Sequence, residues 1–248
     1  MKINNSVIEK MLAHRSIRSF TDVKIDIEML EQLVLCGQSA ASSSFIQAYS
    51  IVRVTNKNYR EQIAEAAGDQ QYVKDAPEFL IFCADLKRVE LACENQGFGK
   101  LDGYTEHFIA ATVDVALVAQ NFLLAAESLG LGGVYIGGIR NDPQLISELL
   151  NLPEQVYPVF GMCLGWPDSN PDIKPRFPVA SALHTNRYDI SKVEDDIDAY
   201  DQMMQMYYQA RSDNKRSSDW SAQTAKAVQL KQRAHMLPFL NQRGFLKK

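Results

Sequence analysis

The stretch from Thr105 to Leu129 constrains the fold of this chain more than any other segment. Its composition is helical, and Phe108, Ala111, Val115, Val118, Phe122 and Leu123 spread apolar character over most of a helical circumference. A helix apolar on nearly every side must be covered on several sides at once, inside a core or against a second subunit. The cover is available: 248 residues, 46% of them apolar, suffice for one substantial core with an appendage. Charged residues at 23% and aromatics at 9% exclude global disorder and fibrous architectures. The apolar stretches are interrupted before the roughly 20 residues of a membrane span, so no membrane partner is expected.

Around that helix the sequence reads as an intermixed set of helices and strands. Ser6–Ala13 carries Val7, Ile8, Met11 and Leu12 on one stripe, and Asp26 is positioned to cap a helix bearing Ile27, Leu30 and Val34. Strands are expected at Tyr49–Thr55, Glu78–Ala84, Val134–Ile136 and Val156–Leu164. Helices are expected from Tyr59 to Ala67, stopped by Gly68, and from Asp142-Pro143 to Asn151. Residues 168–178 hold Pro171, Pro175 and Pro178 and read as a long irregular loop. No regular β-α-β-α alternation appears. The expected class is therefore α+β, a central sheet flanked by helices, with a helical extension from Val193 onward.

Charge and cysteine usage narrow the function classes. Residues 211–248 hold nine Lys/Arg against Asp213 and Asp219, so of the net −4 the first 210 residues carry −11 and the tail +7. An acidic body is a poor nucleic-acid footprint, and no nucleic-acid partner is expected. Cys36, Cys83, Cys93 and Cys163 form no C-x-x-C, and His14, His107, His184 and His235 show no ligand spacing. These are the features of reduced thiols and no metal site. The start, Met1-Lys2-Ile3-Asn4-Asn5, lacks the apolar region of a signal peptide, and a cytoplasmic location is expected.

Several catalytic motifs fail. Gly130-Leu131-Gly132-Gly133-Val134-Tyr135 has tyrosine where a dinucleotide fingerprint needs glycine, and it follows a helix rather than a strand. There is no P-loop and no G-x-S-x-G elbow. What remains suits anions and planar ligands. His14-Arg15-Ser16-Ile17-Arg18 offers two guanidinium forks, an imidazole and a hydroxyl, either for a phosphate monoester or as a solvated helix end. Lys174 and Arg176 are held among prolines, which lower the entropy lost when a loop orders around a ligand. Gly133 to Gly138 could present backbone N–H groups to a flat heterocycle, or could simply be a tight bend.

Together these segments resemble the FMN-dependent nitroreductase superfamily, within it the NADPH-dependent, oxygen-insensitive nitroreductase and flavin reductase P group. The resemblance runs through His14–Arg18, Ala40–Ser44, Gln70-Gln71-Tyr72, Gly130–Gly138, Phe160–Gly165 and Lys174-Pro175-Arg176, and covers nearly the whole chain. Gln71 and Phe45 are its main local departures.

The resemblance implies a nitroreductase-like fold with a mostly antiparallel sheet, and non-covalent FMN at a homodimer interface. It implies a core over residues 1–192, with residues 193–248 wrapping the partner subunit and carrying an NADPH loop. By position, His14, Arg15, Ser16, Lys174 and Arg176 correspond to phosphate and ribityl ligands, and Arg18 to the cation beside the pyrimidine end of the ring. Ser42, Gln70 and Tyr72 match flavin contacts, and Tyr135, Ile136, Gly137 and Gly138 match the backbone strand near the ring. Glu106 falls on an acidic active-site position, and Arg211 and Arg216 on the arginines that read the NADPH 2′-phosphate. A cation beside the flavin carbonyl stabilises the reduced ring, and because the flavin itself does the hydride chemistry no side-chain nucleophile is needed. The implied activity is ping-pong, NADPH-dependent two-electron reduction of nitroaromatics, quinones or free flavins. The alternative is a non-catalytic flavin sensor or carrier on the same scaffold.

Overall fold

Four antiparallel strands in the order β1-β2-β4-β3 make the sheet: β1 (Tyr49–Arg53), β2 (Glu78–Asp85), β3 (Gly132–Ile136) and β4 (Val156–Gly165). The computed structural model describes residues 5–211 and 217–248. The helices packed with this sheet are α1 (Ser6–Leu12), α2 (Ile27–Gln38), α3 (Lys57–Ala66), α4 (Gln71–Asp75), α5 (Lys87–Asn95), α6 (Thr105–Ser128) and α7 (Pro143–Leu149). The short polar helices α4 and α5 have no counterpart in the sequence reading.

β2 is buried at every position because it lies between β1 and β4 and is covered on both faces. Its residues alternate between two cores, as the pleat requires. Leu80, Phe82 and Ala84 face the core that contains α6, whereas Phe79, Ile81 and Cys83 face Ile63, Ala64 and Ile146 of α3 and α7. The cap expected at Asp142 forms, accepting from Leu145 N at 3.0 Å, and α3 is capped by Asn56, which the sequence reading did not single out and which accepts from Tyr59 N at 3.3 Å. Asp26 occupies the N-cap of α2 but its side chain makes no capping bond. Gly68 takes φ +93°, the left-handed conformation that ends α3.

α6 buries Ala111, Asp114, Val115, Val118, Ala119, Phe122, Leu123 and Ala126. At 24 residues with a mean hydropathy of 1.8 it is long and apolar enough to cross a membrane by length and composition, contrary to the expectation of interrupted runs. Here it is the core helix. One face stays open, with Ile109, Val113 and Leu117 exposed at 49%, 49% and 42%.

Two compact units divide the chain, residues 1–170 with 233–248, and residues 171–232. The functional boundary expected at residue 192 therefore falls inside the second unit. That unit contains α8 (Val179–Ala182), α9 (Val193–Ala210) and α10 (Trp220–Leu230). Tyr200, Met204 and Tyr208, one turn apart on α9, cluster with Phe177 and Trp220. After it the chain returns to the first unit as α11 (Met236–Gln242), where Phe239, Leu240 and Phe245 join the core. Arg243 fastens the return, donating to the carbonyls of Leu152, Pro153 and Val156.

Candidate functional site

α1 ends at Leu12, and the cationic run that follows lies along the edge of the sheet. Ile17 N donates to Gly133 O on β3 at 3.0 Å, and Thr21 N donates to Trp166 O at 2.9 Å. The Ile17 side chain is buried and anchors the segment. Ala13, Arg15 and Ile17, every second residue, line a cavity of about 280 Å³ with Lys10, Glu127, Ser169 and Asn170. Arg15 Nε donates to Ala13 O at 3.2 Å, and its Nη1 donates to Asn170 Oδ1. Lys10 and Arg15 outnumber the Glu127 carboxylate, and with the Ser169 hydroxyl and the Asn170 amide they fit an anionic group such as a phosphate. His14, Ser16 and Arg18 are not among the lining residues. His14 Nδ1 instead meets Glu127 Oε1 at 2.6 Å, and Arg18 is exposed. Lys10, Glu127, Ser169 and Asn170 were missed by sequence reasoning, and no spacing in the sequence marks them.

At the opposite end of β3 lies a second group. Tyr72 Oη donates to Gln70 Oε1 at 2.6 Å, and Gln70 Nε2 donates to Ala67 O at 2.8 Å. Gly138 sits against the same carbonyl: a Cβ there would come within 2.3 Å of Ala67 O. The glycine is therefore required by close backbone approach, whatever else its amide does. Gln70, Tyr72 and Gly138 are thus brought together through Ala67. Ile136 is buried and offers only backbone, while Tyr135 is half-buried with its ring edge-on to Phe160 at 5.0 Å. Burial, with the Glu127 carboxylate adding, pushes the Tyr135 phenol upward, so the hydroxyl is neutral.

Ser42 opens a tight loop whose hydrogen bonds run to α6 and α5. Ser43 N donates to Asp114 Oδ1 at 2.9 Å and Ala48 N to Asp114 Oδ2 at 3.1 Å. Arg88 of α5 donates to the carbonyls of Gln47 and Tyr49. Sequence reasoning overlooked both residues. Asp114 does leave a signal, as the one carboxylate between Glu106 and Glu127 in the apolar run. Glu106 is exposed in the first turn of α6, eight residues or about 12 Å along the axis from Asp114.

The remaining expected residues belong to the second unit. Lys174 Nζ lies 5.8 Å above the Tyr208 ring, and Arg176 is exposed two residues on. Their loop is fixed from α9, since Tyr200 Oη donates to Pro175 O at 2.7 Å and Phe177 stacks on Tyr200 at 3.9 Å. Arg211 follows α9 with its guanidinium 5.8 Å from the Tyr207 ring. Arg216 lies outside the described residues.

Comparison with known proteins gives this geometry a lineage. The nitroreductase family matches residues 11–166, and the nitroreductase family C-terminal domain matches residues 174–248. The chain is 46% identical over 245 residues to the NADPH-flavin oxidoreductase of Vibrio harveyi, covering 98% of this chain and 100% of the relative. It is 41% identical to the oxygen-insensitive NADPH nitroreductase of Salmonella typhimurium, covering 96% and 97%. A solved NADPH:FMN oxidoreductase from Vibrio harveyi, complexed with NAD+, superimposes with a TM-score of 0.89 at 44% identity, covering 98% of this chain and 100% of that one. Over its core and its C-terminal part alike, the chain belongs to the nitroreductase family.

Proposed function

We propose that this protein is an NADPH-dependent, FMN-containing oxidoreductase that reduces nitroaromatics, quinones or free flavins. The observation that carries the reading is Arg15, held by Ala13 O and Asn170 in a cationic cavity beside the sheet edge, within a chain whose relatives are NADPH-flavin oxidoreductases and nitroreductases. Bound FMN supplies two-electron carriage between the nicotinamide and the acceptor. The chain's own residues bind and orient it. Arg15 takes the phosphate end from the cavity it lines, while His14, Ser16, Lys174 and Arg176 are assigned to the phosphate and ribityl end by family correspondence. Arg18 supports negative charge at the pyrimidine end. Gln70 and Tyr72, joined by their own hydrogen bond, and the backbone of Tyr135, Ile136, Gly137 and Gly138 hold the ring. The two groups flank β3, about 15 Å apart at strand rise, which suits a ligand with an anionic end and a planar end.

Ser42 contributes a further flavin contact, Glu106 the acidic group of the acceptor cleft, and Arg211 with Arg216 the reading of the NADPH 2′-phosphate. The working form is a homodimer. Ile109, Val113 and Leu117 recur every fourth residue, so their exposed apolar stripe forms one continuous face of α6. Its four cysteines form no disulfide, in keeping with a cytoplasmic enzyme. The test is the absorption spectrum of the purified protein followed by steady-state NADPH oxidation with nitrofurazone or a quinone. Flavin bands with sustained turnover are expected; a single stoichiometric reduction would identify a carrier instead.

A further inference from the structure

We propose that Asp114 and Arg88 are positioning residues that hold the Ser42–Gln47 loop in the conformation that receives the flavin. Asp114 is fully buried among the apolar buried residues of α6, where a carboxylate persists only if its oxygens are satisfied. Both are, and both by one loop: Oδ1 accepts from Ser43 N and Oδ2 from Ala48 N. Between those two amides, Ser44, Phe45 and Gln47 sit at φ 47°, 58° and 50°. None is glycine, so this is left-handed backbone that relaxes unless its surroundings impose it. From the other side Arg88 Nη2 donates to Gln47 O at 3.3 Å and to Tyr49 O. Gln47 N in turn donates to Ser42 Oγ at 3.3 Å, which fixes the hydroxyl. A carboxylate gripping N–H groups and a guanidinium gripping carbonyls hold the strained loop from two different helices. Such a loop is ordered before the ligand arrives, so binding loses little entropy in shaping it.

The proposal rests on the reading of Ser42 as a flavin contact, and the experiment separates the two. FMN-free protein is prepared as wild type, Asp114→Asn, Arg88→Ala, Arg88→Lys, Ser42→Ala and Ser42→Ala/Asp114→Asn. Amide hydrogen exchange is read at residues 43–48, and FMN dissociation constants are measured by titration. In Asp114→Asn and Arg88→Ala, exchange at Ser43 and Ala48 should accelerate and FMN should bind about tenfold more weakly. Arg88→Lys should recover most of that affinity. The Ser42→Ala effect should shrink in the Asp114→Asn background, because residues acting through one loop are not additive. Faster exchange with unchanged FMN affinity, or fully independent effects of the two substitutions, would overturn the positioning role. If Asp114→Asn does not fold, Arg88→Ala and Arg88→Lys decide the matter by the same two measurements. Wild-type affinity in Ser42→Ala alone would overturn the site reading itself.

Discussion

Arg15 is bound at both ends of its guanidinium, to Ala13 O and to Asn170, before any ligand is considered. That arrangement leads to a specific expectation: Arg15→Ala should weaken FMN binding by tenfold or more, a loss of roughly 1.5–3 kcal/mol for a charge-assisted contact. Arg15→Lys should recover only part of this, since an ammonium cannot reproduce the fork. Titration of FMN-free protein checks both, and wild-type affinity in Arg15→Ala would remove Arg15 from the site. A second residue-scale expectation concerns Cys163. Burial pushes its thiol from an ordinary 9.0 up to about 12. Between those values the unfolded chain loses the proton while the folded chain keeps it. Stability should therefore fall as pH rises through that window, by about 1.4 kcal/mol per pH unit. Cys163→Ser should flatten that part of the curve in alkaline denaturant titrations. The cationic run around Arg15 was legible in the sequence, but its partner Asn170, 155 residues away, was not.

Gly138 is a point of close approach between two elements. There the turn that follows β3 presses on the Ala67 carbonyl closing α3, with 2.3 Å between that oxygen and a hypothetical Cβ. Gly138→Ala must displace one backbone or the other, at a cost of about 1–3 kcal/mol. For a chain of this size that lowers the thermal midpoint by several degrees, of order 2–4 °C per kcal/mol. Calorimetry reads it, and an unaltered midpoint would mean the two elements separate freely. The end of α9 carries a different expectation. Arg211→Ala should raise the KM for NADPH while leaving FMN content and NADH use nearly unchanged, and added salt should shrink the effect, as screening over about 8–10 Å requires. Equal losses with both donors would place Arg211 outside 2′-phosphate recognition. α3, α6, α7 and the four strands were legible because periodicity and capping are local signals. α4 and α5 were not, being short and polar with too few apolar positions to show a period.

At the scale of the whole molecule, the open face of α6 is the dominant feature. Val113, exposed at 49% in the middle of Ile109, Val113 and Leu117, is the position at which a charge would harm an interface while sparing the monomer core. On the proposed homodimer, Val113→Glu should shift sedimentation at micromolar concentration from dimer to monomer and reduce the FMN content together with it. A wild-type protein that sediments as a stable, FMN-loaded monomer would argue against the dimer outright. An obligate interface of this kind buries on the order of 2,000 Å² or more, well beyond a single helix face. The proposed homodimer would therefore draw on additional surfaces of the subunit.

The α+β class, the central apolar helix, the strands and the cationic segments were all set by the sequence itself. Each depends on residue type and spacing within a dozen positions, and such patterns act locally on backbone and burial. Family membership was legible for a related reason, since its motifs are short contiguous runs such as His14–Arg18 and Gly130–Gly138. What tertiary structure alone decided is which charges meet. Glu127 reaches His14 across 113 residues, and Asp114 reaches Ser43 across 71. The left-handed backbone at Ser44, Phe45 and Gln47 likewise carries no glycine to announce it. These pairings exist because a buried carboxylate or a strained turn is stable only where distant chain segments converge on it, and convergence is a property of the packed molecule.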